Sequence, residues 1–478
     1  MQRRWFVPLL LLLAGVAAPA AAEEPARRTG WTYHLQVAPG LKQARVRMCF
    51  QGYLPKRLIL SRTEALAAIR LLPDAQGRVR FRSNPARNGI LPMGLRDGSC
   101  LTYDIDLDQL AQISRLNRET WRVGRDLITR SGLTLLHPAK WPETADVTLT
   151  VELPTGYRLA APWPEANGRY RLSKWTPILN SRFAIGRWTP QRVTVAGGQI
   201  DVALLDGPHR ITRAGIDRWL QVAGGAAADL YDGFPVSRMT LLVHPILPGR
   251  PRPVISGRTC LAGGPHAHVM LSGNTRDELM PGEYLTIHEF VHLGLPWTED
   301  PDRWFQEGFA AYYQTVLRTR MGALTEQAGW QRLHDWFEQG RKSGGKRTLA
   351  AETPLMTVRY AYHRVYWGGA AMALLMDTEI RRRWPGRRSL DDVVRHLHGL
   401  QREGRVFTGL EVMAAIDQYL GEPVCEPIAR RWLASRAFPD VAPAYRALGL
   451  QVQRGRIVYA DDAPQIRDRT GIMRRGGR

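Results

Sequence analysis

Cysteine is scarce in this 478-residue sequence: there are four, Cys49, Cys100, Cys260 and Cys425. None of them lies at the short spacing of a thiolate zinc site, so a zinc finger or ribbon is excluded. Two roles remain, disulfides in an oxidising compartment or buried free thiols. Cys49 and Cys100 are the natural pair, since both are N-terminal; a Cys260–Cys425 pair has nothing local to argue for it. Long apolar runs are also missing. Beyond the N-terminal segment none approaches the roughly 20 residues that a spanning helix needs, so no integral membrane segment is expected in the mature chain. Acidic residues are in deficit, 44 Asp and Glu against 66 Lys and Arg, a net charge of +22. A basic balance admits nucleic acid or an anionic surface as partner. The arginines are scattered through every region, with no basic stripe interleaved with aromatics and no reading helix, so nucleic acid is not expected. Some affinity for anionic envelope surfaces, peptidoglycan or lipid head groups, stays open. There is no internal repeat.

The N-terminal segment is itself informative. Arg3 and Arg4 precede an apolar run from Phe6 to Val16, and Ala20-Ala21-Ala22 supplies small residues for cleavage. Residues 1–22 read as a secretory signal peptide. The expected mature protein is periplasmic or secreted, and no cysteine follows the cleavage site to make it a lipoprotein. From 23 to 205 the pattern is β-rich. Thr32–Val37, Ala44–Phe50 and Asp146–Leu153 alternate, with turns at Pro39-Gly40, Asn88-Gly89 and Pro154-Thr155-Gly156. This predicts a β-sandwich that walls a cleft, presents substrate or stabilises the rest of the chain. Residues 206–449 form a second domain, edge strands and then helices. Gly340–Arg347 reads as a flexible basic loop. Residues 450–478 begin with strand character at Leu450–Val452 and Ile457–Tyr459 and continue as a disordered basic tail. The fold class is α+β.

The chemistry is concentrated in His288-Glu289-Phe290-Val291-His292. Residues four apart share one face of a helix, so the two imidazoles can hold one metal ion. Glu289 then sits beside a water on that ion, the arrangement of zinc hydrolases. Tyr284, Ile287, Val291 and Leu295 follow helical spacing. Pro281 suits the start, and Gly294 with Pro296 the stop. The ordinary alternative is a helix that happens to carry two histidines.

A zinc site needs a third protein ligand, and Glu307 follows after a gap of fourteen residues. Asp300-Pro301-Asp302 suits the start of its helix, with Asp as N-cap. Trp304, Phe305, Ala311, Tyr312 and Val316 suit its buried side. Two antiparallel helices on a short loop would bring Glu307 to the histidine pair. His334 and His363 lie further on and show no ligand spacing.

His-Glu-x-x-His followed by Glu307-Gly308-Phe309-Ala310-Ala311-Tyr312-Tyr313 resembles the gluzincin metallopeptidases, specifically the glycyl aminopeptidase-like group. Tyr231–Pro235 with the strand Met239–Val243, the helix Gly369–Ile380 and the turn and helix Gly386–Val393 extend the resemblance over roughly residues 210 to 450. The resemblance implies a thermolysin-like catalytic domain and one Zn2+ per chain on His288, His292 and Glu307. It also implies a phenol at Tyr366 that donates to the oxyanion, where Gly368 replaces the family's basic residue. The stretch between motif and Glu ligand is shorter than is usual in the group, and no room is expected for its terminal PDZ domain. The Gly-Gly-x-Glu-His segment that flanks the site in relatives corresponds to Gly263–His268, which lacks the glutamate that holds a substrate amine.

The expected function is an exported zinc-dependent peptidase acting on peptide or protein substrates through a metal-activated water. Glu289 would be the base, and aminopeptidase against endopeptidase is left open. Two alternatives are carried: a metal-dependent hydrolase of a non-peptide or cell-wall amide, and a non-catalytic periplasmic binding protein that retains its zinc site.

Overall fold

The computed structural model describes residues 29–74, 81–84, 89–113, 119–174, 181–246, 252–343, 345–401 and 405–474. The proposed signal peptide lies outside them. No helix among the described residues is long and apolar enough to cross a membrane.

The N-terminal half is sheet-rich. A seven-stranded sheet is built around Gly30–Val37, which pairs antiparallel with Gln43–Gln51 and parallel with Asp146–Glu152. Alternation decides which side is buried: Trp31, Tyr33, Leu35 and Val37 face the core, while Thr32, His34 and Gln36 face water. Cys49 and Cys100 stand opposite each other on paired strands and form a disulfide. Cys260 and Cys425, for which nothing local argues a pairing, are both free and buried. The disulfide closes a loop across a sequence separation of 51. Replacing Cys49 and Cys100 together by Ala should lower stability by about 2–4 kcal/mol through the freer unfolded chain, read as a fall in the urea midpoint.

The second half rests on a five-stranded sheet. Its strands are β1 (Gln191–Val195), β2 (Gly198–Leu204), β3 (Arg238–Ile246), β4 (Val254–Cys260) and β5 (His266–Ser272), in the order β1-β2-β3-β5-β4. β1 and β2 come from the sequence before residue 205 yet pair into this sheet. β3 and β5 are parallel, central and buried almost throughout, which is why they read as apolar runs rather than alternating ones. Helix α1 (Arg213–Tyr231) crosses from β2 to β3, starting on a Thr212 cap that accepts from the Gly215 amide. β4 is an edge strand, antiparallel to β5. The segment flanking the His-Glu-x-x-His motif is therefore 254–260. Gly263-Gly264 form the turn after it, and His266–His268 are buried inside β5.

Helices come next: α2 (Tyr284–Val291), α3 (Arg303–Arg320), α4 (Glu326–Lys342), α5 (Tyr362–Arg383) and α6 (Leu390–Gln401). The tightest crossing is α3 on α5. A Cβ on Gly369 would lie 2.0 Å from the Trp304 carbonyl oxygen, and one on Gly308 would lie 2.4 Å from the Gly369 Cα. Glycine at both positions lets the backbones touch, and this sets Tyr366, one turn before Gly369, beside the residue preceding Gly308.

Two expectations need correction. The supposed basic loop is still helical at its start, since α4 runs to Lys342 with Gly340 packed on Phe438 and Trp367. The supposed disordered tail holds a helix, Ile466–Met473, after the hairpin Leu450–Gln453 and Arg456–Tyr459. Ile472 and Met473 are fully buried, and the Arg320 Nε donates to the Ile472 carbonyl. Two apolar residues among many charged ones are a weak signal in sequence but enough to dock one short helix.

Candidate active site

The motif helix α2 is short and braced from both ends. Glu283 caps its start by accepting from the Leu285 and Thr286 amides. At its end the Tyr231 hydroxyl donates to the Val291 carbonyl at 2.7 Å. Gly294 is required next, since a Cβ there would lie 2.4 Å from the Tyr231 ring. Three buried apolar side chains, Ile287, Phe290 and Val291, hold the helix on the core, at about 1.5–3 kcal/mol each. The expected Asp N-cap of α3 does not form. Asp300–Asp302 make a single 3-10 turn, Asp302 accepts from the Trp304 indole and Asp300 pairs with Arg303.

α2 and α3 place three ligand atoms together. The His288 and His292 Nε2 atoms are 3.1 Å apart. The Glu307 Oε2 is 3.1 Å from the first and 3.6 Å from the second. Zinc–ligand bonds of about 2.0–2.1 Å at tetrahedral angles require ligand–ligand edges of roughly 3.3 Å, so this triangle fits a zinc ion. The outer nitrogens agree. The His292 Nδ1 lies 3.1 Å from the Gln306 Oε1, and Gln306 turns that oxygen inward because its amide nitrogen donates to the Pro296 carbonyl. The His288 Nδ1 lies 3.0 Å from the Gln314 Oε1. With protons on both Nδ1 atoms, the two Nε2 atoms present bare lone pairs to each other and to a carboxylate. Such a trio calls for a cation. Burial would raise the Glu307 pKa, yet its hydrogen bonds to the histidines take it well below the ordinary carboxylate range. Burial would lower that of His292, yet Glu307 and Glu289 drive it up. Both shifts express the same demand for one positive charge between the three groups.

Glu289 is buried, and the floor before it is glycine: a Cβ on Gly257 of β4 would lie 2.8 Å from its Oε1. The Thr259 hydroxyl donates to the Glu289 carbonyl, tying the edge strand to the motif helix. Tyr366 of α5 stacks parallel to the His288 ring at 5.9 Å. Burial first, then the nearby charges of Glu307 and Glu289, hold its phenol pKa well above 10, so it stays a proton donor. All five expected site residues, His288, Glu289, His292, Glu307 and Tyr366, thus converge, while His334 packs on Tyr445 elsewhere. The sequence reading missed Gln306 and Gln314, which orient the imidazoles, and Gly257 with Thr259. Gln314 had a usable signal, two helical turns beyond Glu307 on the same face of α3.

No protein-family model and no curated protein matches the sequence. Solved structures do match the fold. An aminopeptidase N family protein from Idiomarina loihiensis superposes with a TM-score of 0.70 at 15% identity, over 88% of this chain and 79% of that one. The M1 zinc metallopeptidase from Deinococcus radiodurans gives 0.54 at 15% identity, over 87% and 95%. A variant of that enzyme bound to a Tyr-Ser-Ala substrate gives 0.54 at 16% identity. The chain has the fold of the M1 zinc metallopeptidases.

Proposed function

We propose that this protein is an exported, zinc-dependent peptidase that hydrolyses peptide bonds in peptide or protein substrates, with residues 1–22 as its leader and the periplasm or cell exterior as its place of work. The reading is carried by one observation: a zinc-sized triangle of His288, His292 and Glu307 has a buried carboxylate, Glu289, and a protonated phenol, Tyr366, beside it. One zinc ion per chain, when bound, would supply an acidified water and a polarised scissile carbonyl. Glu289 takes the proton of the attacking water and passes it to the leaving amine. Gln306 and Gln314 keep the imidazole lone pairs aimed inward while charge builds. Tyr366 donates to the carbonyl oxygen as it becomes anionic. Among the described residues β4 is the outermost strand next to Glu289, and an extended peptide can lie along its edge. The strand carries no carboxylate from Val254 to Cys260, so a free substrate amine, if bound, is held from elsewhere.

The test is digestion of a diverse peptide library by the zinc-loaded protein, with products read by mass spectrometry. Stepwise loss of N-terminal residues identifies an aminopeptidase and internal cuts an endopeptidase. No cleavage by protein that verifiably holds zinc overturns the reading and turns attention to cell-wall amides. Tyr366→Phe should keep its zinc and lose about 10²–10³ in kcat with little change in KM. An unchanged kcat would remove the phenol from the reaction.

A further inference from the structure

Behind the edge strand, on the side away from Glu289, lies a group of arginines that the catalytic reading does not use. Gly257 and Thr259 of β4 face the motif helix, so Arg258 and Cys260 face the other way. Cys260 pairs with His266, whose Nε2 accepts from the Arg182 amide, so this side of β4 adjoins two strands of the N-terminal half, Asp126–Arg130 and Arg182–Gly186, in which Arg130 and Arg182 stand directly opposite each other. Like charges in that position repel. Arg182 is 5% exposed. Its backbone amide donates to the His266 Nε2, but among the described residues its side-chain Nε has no hydrogen-bond partner, and neither has that of Arg130.

The counter-charge is insufficient. Glu119 accepts from Arg130 at 3.0 Å and from Arg62 at 3.4 Å. Among the described residues no carboxylate pairs with Arg182 or Arg258, and the segments 114–118 and 175–180 contain no acidic residue. Cys260, with its thiol pKa raised by burial, and His266 and His268, with theirs lowered by burial, contribute no charge. Burial, then Arg130 and Arg258, press on the charge of Arg182, but a guanidinium does not give up its proton. An unpaired buried cation is severely unfavourable, and a bound anion is one physical answer to such a group.

We propose that Arg182, Arg130 and Arg258 form a binding site for a small monovalent anion, chloride or a carboxylate group, at the junction of the two halves and behind the strand that backs Glu289. A bound anion would bridge Arg182 and Arg258 and so clamp β4 against the N-terminal half.

The test uses the full mature chain, zinc-loaded, in a buffer whose only anion is a bulky sulfonate. Sodium chloride and sodium formate are added in separate arms, and the melting temperature is followed for the wild type and Arg182→Met. Wild type should gain several degrees in one arm or both, saturably, and the arm that responds identifies halide or carboxylate. Arg182→Met should start higher, being relieved of the unpaired charge, and should not respond. Parallel gains by both proteins, or no gain by either, overturn the proposal. If Arg182→Met does not fold, Arg258→Gln, whose residue is exposed, should need about tenfold more anion for half of the wild-type gain; an unchanged midpoint overturns the proposal equally. Crystals soaked in bromide should show an anomalous peak between the Arg182 and Arg258 guanidinium groups, and peaks confined to other surfaces count against it.

Discussion

Glu289→Gln should bind zinc as the wild type does and lose about 10³-fold in kcat, within the range that a positioned general base contributes. The argument is geometric. Glu289 is not part of the ligand triangle, which His288, His292 and Glu307 complete without it. The amide is close in size to the carboxylate, and the glycine floor at Gly257 leaves its position undisturbed. What disappears is an acceptor for the proton of the attacking water and a donor to the leaving amine. KM should change little, because the carboxylate takes no part in binding that persists equally through ground and transition states. Zinc content by metal analysis and kcat on one cleaved peptide check both halves. A variant that keeps near wild-type turnover would move the base to another residue, and one that loses zinc would make Glu289 part of the metal's support.

Much of the site was legible in the sequence because metal chemistry demands fixed residue types at helical spacing. His288 lies on α2, His292 follows four residues on as its C-cap, and Glu307 begins the second turn of α3. Other features depend on tertiary contact and leave no local trace. Gln306 is assigned by the Pro296 carbonyl, and Gly257 is needed only because Glu289 lies over it. The same holds for the fold. Alternating strands such as Gly30–Val37 announce themselves by burying every second residue. The identity of the edge strand does not: Val254–Cys260 and His266–Ser272 are both strands, and only pairing shows that the first is outermost. The Gly263-Gly264 turn, which resembles the family segment by composition, therefore pointed to the wrong strand. The two cysteine pairs divide in the same way. Cys49 and Cys100 meet because neighbouring strands place them opposite each other. Cys260 and Cys425 are buried in β4 and in the helix Cys425–Leu433, in different layers.

Removing the metal should do more than stop the reaction. Without a cation, two bare imidazole nitrogens and a buried carboxylate face one another at 3.1–3.6 Å, and the site must take up a proton to remain compact. Zinc bound to the folded triangle would find no preformed site in the unfolded chain, and would add about 4 kcal/mol of stability when free zinc exceeds its Kd a thousandfold. Chelation should therefore lower the melting temperature as well as abolish turnover, and zinc should restore both in proportion to occupancy. Point changes should follow a graded order. His292→Ala removes a ligand outright, leaving protein without stoichiometric zinc and without measurable cleavage. Gln306→Ala keeps all three ligands but releases the tautomer of His292, and should weaken zinc by about 10–100-fold while sparing kcat at saturating metal. Competition with a chromophoric chelator measures both affinities. If Gln306→Ala bound zinc as tightly as the wild type, the Pro296–Gln306–His292 chain would be packing rather than metal support. If His292→Ala kept stoichiometric zinc, the proposed triangle would not be the metal site.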